Sequence, residues 1–234
     1  MLFKRKKNRK DIDHPSLVVV NKPLSVISEQ FRTMRTNIQF SMVDEAIKTL
    51  VVTSAGPASG KSTIAANLAA TFASEDKRVL LVDSDLRKPS VHKIFNARNT
   101  HGLTSLLTNK ETKLQDVVSQ TNTAGLYILT SGAIPPNPAD LLSSNRMQEV
   151  KREMIEYFDM IVFDTPPVLA VTDAQVMATI TDGTLFVVPQ GQVSKDELVT
   201  AKDTLDKVKV NVLGAVLNRV DKSNDTYAYY YGEE

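Results

Sequence analysis

A lysine followed by two hydroxyls, Lys61-Ser62-Thr63, and three aspartates, Asp83, Asp85 and Asp164, carry the chemistry that can be read from this chain. Gly60-Lys61-Ser62 has the form that closes a phosphate-binding loop, G-x-x-x-x-G-K-[ST]. Counting back places Ala55 where the first glycine belongs and Gly56 one position late; alanine is small enough to serve there. In such a loop backbone N–H groups point inward at an anion, and the helix that follows adds partial positive charge at the same place. Ala55, Gly56, Pro57, Ala58, Ser59, Gly60, Lys61, Ser62 and Thr63 are therefore expected to cradle nucleotide phosphates. Lys61 would reach the β- and γ-phosphates and the Ser62 hydroxyl a Mg²⁺ ion. An Asp-x-Asp pair such as Asp83 and Asp85 can hold Mg²⁺, directly or through water, and can accept a proton from an attacking hydroxyl. Asp164 ends an apolar run in the manner of a metal-holding Walker B carboxylate. Asn218 ends another, where its amide could offer a donor and an acceptor to the edge of adenine.

These residues need rigid supports, and the chain supplies them. Leu50-Val51-Val52, Arg78–Asp83, Leu126–Leu129, Met160–Asp164, Gly183–Pro189 and Val212–Asn218 are short apolar runs of the kind expected for buried strands. Helical patterns lie between them: the alanine-rich stretch after Lys61, Ser144–Phe158, and Ser194–Val208 with Leu198, Ala201, Leu205 and Val208 facing inward. Alternation of strand and helix predicts an α/β fold, a P-loop NTPase with a mostly parallel central sheet and helices on both faces. The carboxylates then fall at the C-terminal ends of strands, where such sheets bind ligands. Asp173, near the start of a helical segment, reads as an N-cap.

Composition narrows the class. The chain has 234 residues, 42% of them hydrophobic, no cysteine and a net charge of +1. That suits one α/β domain in a reducing compartment and excludes disulfides and Cys-based zinc sites. His14, His92 and His101 have no metal-ligand spacing. A near-zero net charge gives no global field for nucleic acid, and no nucleic-acid partner is expected. The apolar runs are far shorter than a membrane helix requires and no signal-peptide core follows the N-terminus, so the chain reads as soluble and cytoplasmic.

Three segments fall outside the core pattern. Residues 1–23 read as a basic arm (Lys4, Arg5, Lys6, Lys7, Arg9, Lys10) and a docking segment, with Leu17–Val20 as a strand or extended piece. Such an arm is either a solvated tail or a contact for anionic lipid. A helix follows within the expected P-loop domain, residues 24–221. Its apolar face is Ile27, Phe31, Met34, Ile38 and Met42, and Glu29, Arg32 and Arg35 lie along another flank. Those three form either intrahelical pairs or an intersubunit surface. Residues 222–234 read as an exposed tail, and four of the six tyrosines, Tyr227, Tyr229, Tyr230 and Tyr231, lie in its last eight residues beside acidic side chains.

The combination of Glu29-x-x-Arg32-x-x-Arg35, Ala55–Ser62, Val82-Asp83-Ser84-Asp85-Leu86-Arg87, Ile161-Val162-Phe163-Asp164-Thr165-Pro166-Pro167 and the tyrosine cluster resembles the bacterial tyrosine kinases of capsule and exopolysaccharide systems, over nearly the whole chain. It is similar to the Firmicutes type, in which the kinase is a separate polypeptide. The resemblance implies ATP and Mg²⁺ as cofactors and phosphorylation of protein tyrosines, including the tail between neighbouring subunits. It also implies a ring-like homo-oligomer held partly by Glu29, Arg32 and Arg35, and a transmembrane activator of polysaccharide export that recruits the protein to the inner face of the membrane. A cognate phosphatase would reset the tail. By the same resemblance Lys61, Asp83 and Asp85 are catalytic, with Asp83 as the base for the tyrosine hydroxyl, while Ser62, Asp85 and Asp164 support the metal. Family loops often carry Pro-Gly where this chain has Pro57-Ala58.

Two other readings compete. A partition or septum-positioning ATPase shares the expected fold, but it carries a signature lysine where this chain has Gly56, and it gives the tyrosines no role. A nucleotide-gated adaptor on a membrane complex would not need three aspartates placed for metal and proton work.

Overall fold

The computed structural model describes residues 17–41 and 46–220. Seven strands, β1 (Thr49–Ser54), β2 (Val79–Asp83), β3 (Ser119–Gln120), β4 (Leu126–Leu129), β5 (Met160–Asp164), β6 (Gly183–Pro189) and β7 (Val212–Asn218), form one sheet in the order β3-β4-β2-β5-β1-β6-β7. Every neighbouring pair is parallel except β3 with β4. β1, β2 and β5 are buried along their whole length, which is why they read as unbroken apolar runs rather than alternating ones.

Ten helices cover the sheet: α1 (Val18–Asn21), α2 (Val26–Gln39), α3 (Lys61–Ala73), α4 (Val91–Ile94), α5 (Leu103–Thr108), α6 (Leu114–Val117), α7 (Pro138–Leu142), α8 (Asn145–Tyr157), α9 (Asp173–Thr179) and α10 (Lys195–Lys207). On one face Leu50, Val52, Val79, Leu81 and Val162 meet α3, whose alanines let it lie close, with α2 and α4 beside it. On the other, Val51, Leu80, Val82, Ile161 and Phe163 meet α5 and α8. Strand alternation thus sends Asp83 and Asp164, which continue the first set, to the α3 face.

Two local expectations change. Leu17–Val20 is not extended: Leu17 is fully buried and α1 docks on α3, where the Val19 N–H donates to Asn67 Oδ1. The buried stripe of α2 is rotated from the apolar reading. Ser28 is buried because its hydroxyl donates to Lys22 O at 2.6 Å, while Ile27 is 48% exposed. A satisfied hydroxyl took the inner position that periodicity assigned to a larger apolar neighbour. Met42, the basic residues of the arm and all four tail tyrosines lie outside the described residues.

Candidate active site

The phosphate loop joins β1 to α3. Gly60 is the N-cap of α3 at φ +85°, and a Cβ there would lie 2.3 Å from Asn218 Nδ2, so this position requires glycine twice over. Ala58 takes φ +57° with a side chain that disfavours it. Ala58→Gly should therefore raise the melting temperature by about 2 °C, because relief of the left-handed strain exceeds the extra freedom glycine gains when unfolded; differential scanning fluorimetry reads it directly. The Ser59 hydroxyl is buried in the loop without a hydrogen-bond partner, and Ser54 Oγ donates to Gly56 O at 2.8 Å to hold the entry turn.

Lys61 opens α3 and turns to the strand ends. Its Nζ lies 3.2 Å from Asp85 Oδ2 and 3.5 Å from Asp164 Oδ1. Burial opposes its charge, yet Asp164 and Asp85 outweigh burial and hold the ammonium above its ordinary value. Asp164 is fully buried, and desolvation pushes its carboxyl up despite Lys61 and a hydrogen bond from Ser62. Its Oδ1 has no donor in hydrogen-bonding geometry, only the Lys61 ammonium.

Asp83 sits beside Asp164 in register across β2 and β5. Its Oδ2 accepts the backbone N–H groups of Ser90 and Val91, both at 2.9 Å, so the first turn of α4 fixes the carboxylate. Its Oδ1 is buried and has no partner. Burial, then the nearby Asp164, push the Asp83 carboxyl up to about 8. Asp85, two residues beyond the end of β2, accepts the Lys88 N–H at 2.9 Å through Oδ1 and meets Lys61 through Oδ2. The three aspartates and Lys61 thus converge on one point, as their strand-end positions predict.

Asp164 Oδ1, a buried acceptor without a donor, together with Asp85 and the Ser62 hydroxyl, makes an oxygen-only donor set suited to Mg²⁺, and leaves Asp83 Oδ1 free. Among the described residues no group of three or more His, Cys, Asp or Glu side chains is arranged as a self-sufficient metal cage. A divalent ion here would take most of its ligands from water and phosphate, as Mg²⁺ does beside nucleotides.

Several site contacts were not legible in the sequence. Asp173 is not a cap; Thr172 holds that position. Asp173 is fully buried and receives Arg87 Nε and Nη2, each at 3.0 Å, a bidentate clamp joining the loop after β2 to the segment after β5. Arg87 stands two residues after Asp85, and that spacing was the one available hint. Asn218 lies against the phosphate loop: its Nδ2 donates to Ser59 O at 2.8 Å and its Oδ1 accepts the Arg219 N–H. Part of its amide is thereby committed to the protein.

Glu29, Arg32 and Arg35 do not share one free surface. Arg32 pairs with Glu29 and donates to Pro23 O on the exposed flank of α2. Arg35 is 15% exposed and turns inward, to Glu75 Oε1 at 3.2 Å and to Thr71 O at 3.2 Å at the end of α3.

Comparison with known proteins agrees with this geometry. The AAA domain family model matches residues 47–218. A tyrosine-protein kinase of Bacillus subtilis (strain 168), YwqD, is 46% identical over 97% of this chain and 95% of its own length. A putative tyrosine-protein kinase of Staphylococcus aureus, CapB, is 44% identical over 93% of this chain and 96% of its own. The crystal structure of a chimerical protein, CapA2B2, superposes with a TM-score of 0.86 at 42% identity, covering 89% of this chain and 91% of that one.

Proposed function

The chain belongs to the bacterial tyrosine-protein kinases of the Firmicutes type, and from that premise we propose that it moves the γ-phosphoryl group of ATP to tyrosines of its own tail on a second copy. The observation that carries the reading is the convergence of Lys61, Asp85 and Asp164 beside an Asp83 carboxylate with one buried oxygen left free. Phosphates settle in the loop of residues 55–63, and Lys61 exchanges its carboxylate partners for phosphate oxygens. Ser62, Asp85 and Asp164 would hold Mg²⁺, which supplies charge neutralisation on the phosphates when bound. Asp83 Oδ1 takes the proton of the acceptor tyrosine as the phenolic oxygen bonds to the γ-phosphorus. The bond from that phosphorus to the β,γ-bridging oxygen breaks, and ADP leaves. Burial and the nearby Asp164 raise the Asp83 carboxyl above its ordinary value, which strengthens it as a base towards a phenol. Asn218, against the phosphate loop, keeps capacity on both ends of its amide and would offer it to the edge of adenine.

The same reading makes the protein a regulator of capsule or exopolysaccharide synthesis. A transmembrane activator recruits it to the inner face of the membrane, and a phosphatase resets it. Consistent with a separate anchor, no helix among the described residues is long and apolar enough to cross a membrane. The ring-like oligomer would use the exposed pair Glu29 and Arg32. Glu29→Gln with Arg32→Gln should lower the mass in light scattering and leave the melting temperature within about 1 °C, as exposed pairs contribute little. Arg35→Ala should instead melt several degrees lower, because it removes a half-buried donor from Thr71 O and the ion pair to Glu75 at the end of α3. Equal melting temperatures for the two would return Arg35 to the interface.

The test is a mixture. A Lys61→Met chain with an intact tail is incubated with an active chain whose four tail tyrosines are Phe, with ATP, Mg²⁺ and the activator's cytoplasmic tail. Phosphotyrosine is expected on the Lys61→Met chain. ATP hydrolysis without any phosphotyrosine would favour a partition-type ATPase.

A further inference from the structure

The segment that leads away from the catalytic carboxylates is strongly basic. From Leu86 to Lys110 the chain has no Asp or Glu and five Lys or Arg: Arg87, Lys88, Lys93, Arg98 and Lys110. The first four are exposed. Arg87 is committed to Asp173, but Lys88, Lys93 and Arg98 make no ion pair with any other described residue. This segment is also the one whose Ser90 and Val91 amides fix Asp83, so its cations are tied to the position of the base. Exposed cations without ion pairs, on the segment that fixes this carboxylate, attract an acidic ligand and repel a basic one.

The sequence contains one ligand of matching charge that also carries the acceptor. Residues 221–234 have four acids, Asp221, Asp225, Glu233 and Glu234, against Lys222, a net of −3, and they bracket Tyr227 to Tyr231. We propose that Lys88, Lys93 and Arg98 form a cradle that reads the acidic residues flanking the acceptor tyrosines and seats the tail of a second copy at Asp83. This rests on the transfer between copies stated above and adds the surface that selects the tail.

The described residues end at Val220, beyond β7, and the basic segment leaves β2, four strand positions away with β6, β1 and β5 between, a span of about 19 Å across the sheet. Tyr227, seven residues on, reaches about 23 Å at full extension and Tyr231 about 36 Å, so reach alone does not choose between the chain's own tail and a neighbour's. The transfer between copies stated above selects the second copy as occupant.

The test keeps the Lys61→Met acceptor and varies the donor. Lys93→Gln with Arg98→Gln is made in the Phe-tail donor; Lys88 is spared because its amide holds Asp85. The KM for acceptor chain should rise about tenfold while kcat, the KM for ATP and basal ATP hydrolysis stay as they were. Raising salt from about 50 to 300 mM should raise the acceptor KM of the parent donor more than that of the variant, since exposed charges are screened. Neutralising Asp221, Asp225, Glu233 and Glu234 in the acceptor should produce the same loss, and the two losses should not add. An unchanged acceptor KM, or fully additive losses, would overturn the cradle. Concentration-independent labelling of a single wild-type chain would overturn the second copy as occupant. If the parent donor fails to label the acceptor at all, it is the transfer reading that fails, not the cradle alone.

Discussion

Asp83→Asn should lower phosphotyrosine formation by about 10²- to 10⁴-fold, the range for loss of a general base, with ATP affinity nearly unchanged. The same variant should be more stable than its parent at alkaline pH. Burial and Asp164 push the Asp83 carboxyl up from its ordinary 3.8 to about 8 in the fold, so the native state binds its proton more tightly than the unfolded chain. Stability from this group is fully present below about pH 4, falls as pH rises through that interval and is lost above about 8. Asn carries no charge and can still accept the Ser90 and Val91 amides. The melting temperature of nucleotide-free Asp83→Asn should therefore exceed the parent's by several degrees at pH 8.5, with the gap closing towards pH 5. A residue that merely supported the fold would lose activity and stability together, and a variant that melts below its parent at pH 8.5 would remove Asp83 from the role of buried base.

The second large effect is expected at the opposite charge. Lys61→Met should reduce phosphotransfer by about 10²- to 10³-fold or more, since it deletes the preorganised cation on the phosphates. It should also destabilise the nucleotide-free protein, because Asp85 and Asp164 lose their buried partner. Breaking such a pair costs about 3–5 kcal/mol when the remaining charge stays ionised. Burial already pushes the Asp164 carboxyl up, and its protonation relieves the cost in acid, so the melting deficit should be large at pH 8 and shrink at pH 5.5. This sign is opposite to that of Asp83→Asn. A thermal scan of both variants across pH separates them without any assay of activity; an unaltered melting curve for Lys61→Met at pH 8 would show that the ion pairs contribute nothing.

The strand-end carboxylates were legible in the sequence because the strands that carry them are buried on both faces. Val79–Asp83 and Met160–Asp164 are apolar up to the residue that leaves the sheet, and a charge at that point has few purposes. The phosphate loop was legible for a similar reason: its glycine and lysine are local requirements of one turn. What could not be read were contacts between distant parts of the chain. Asp173 looked like a cap because Asp near a helix start usually is one; its partner Arg87 is 86 residues away. Asn218 and Ser59 are 159 apart, and only the register of β7 against β6 brings them together. The inward turn of Arg35 was hidden for the same reason. Spacing places Glu29, Arg32 and Arg35 on one flank of α2, but α3 packs beside that flank and captures the last of them.

That capture gives α3 an unusual position. Its first turn faces the proposed phosphate site and its last turn is gripped by Arg35, on the same helix that presents Glu29 and Arg32 outward. Thirteen residues make a shaft of about 20 Å. In the proposed ring, a nucleotide at one end and a neighbouring subunit at the other would act on a single rigid body. Any preference of that ring for one setting of the shaft would appear, by the same factor, as a preference of the loaded nucleotide for the ring. Assembly and nucleotide exchange would then form one thermodynamic cycle, with Arg35 as its coupling.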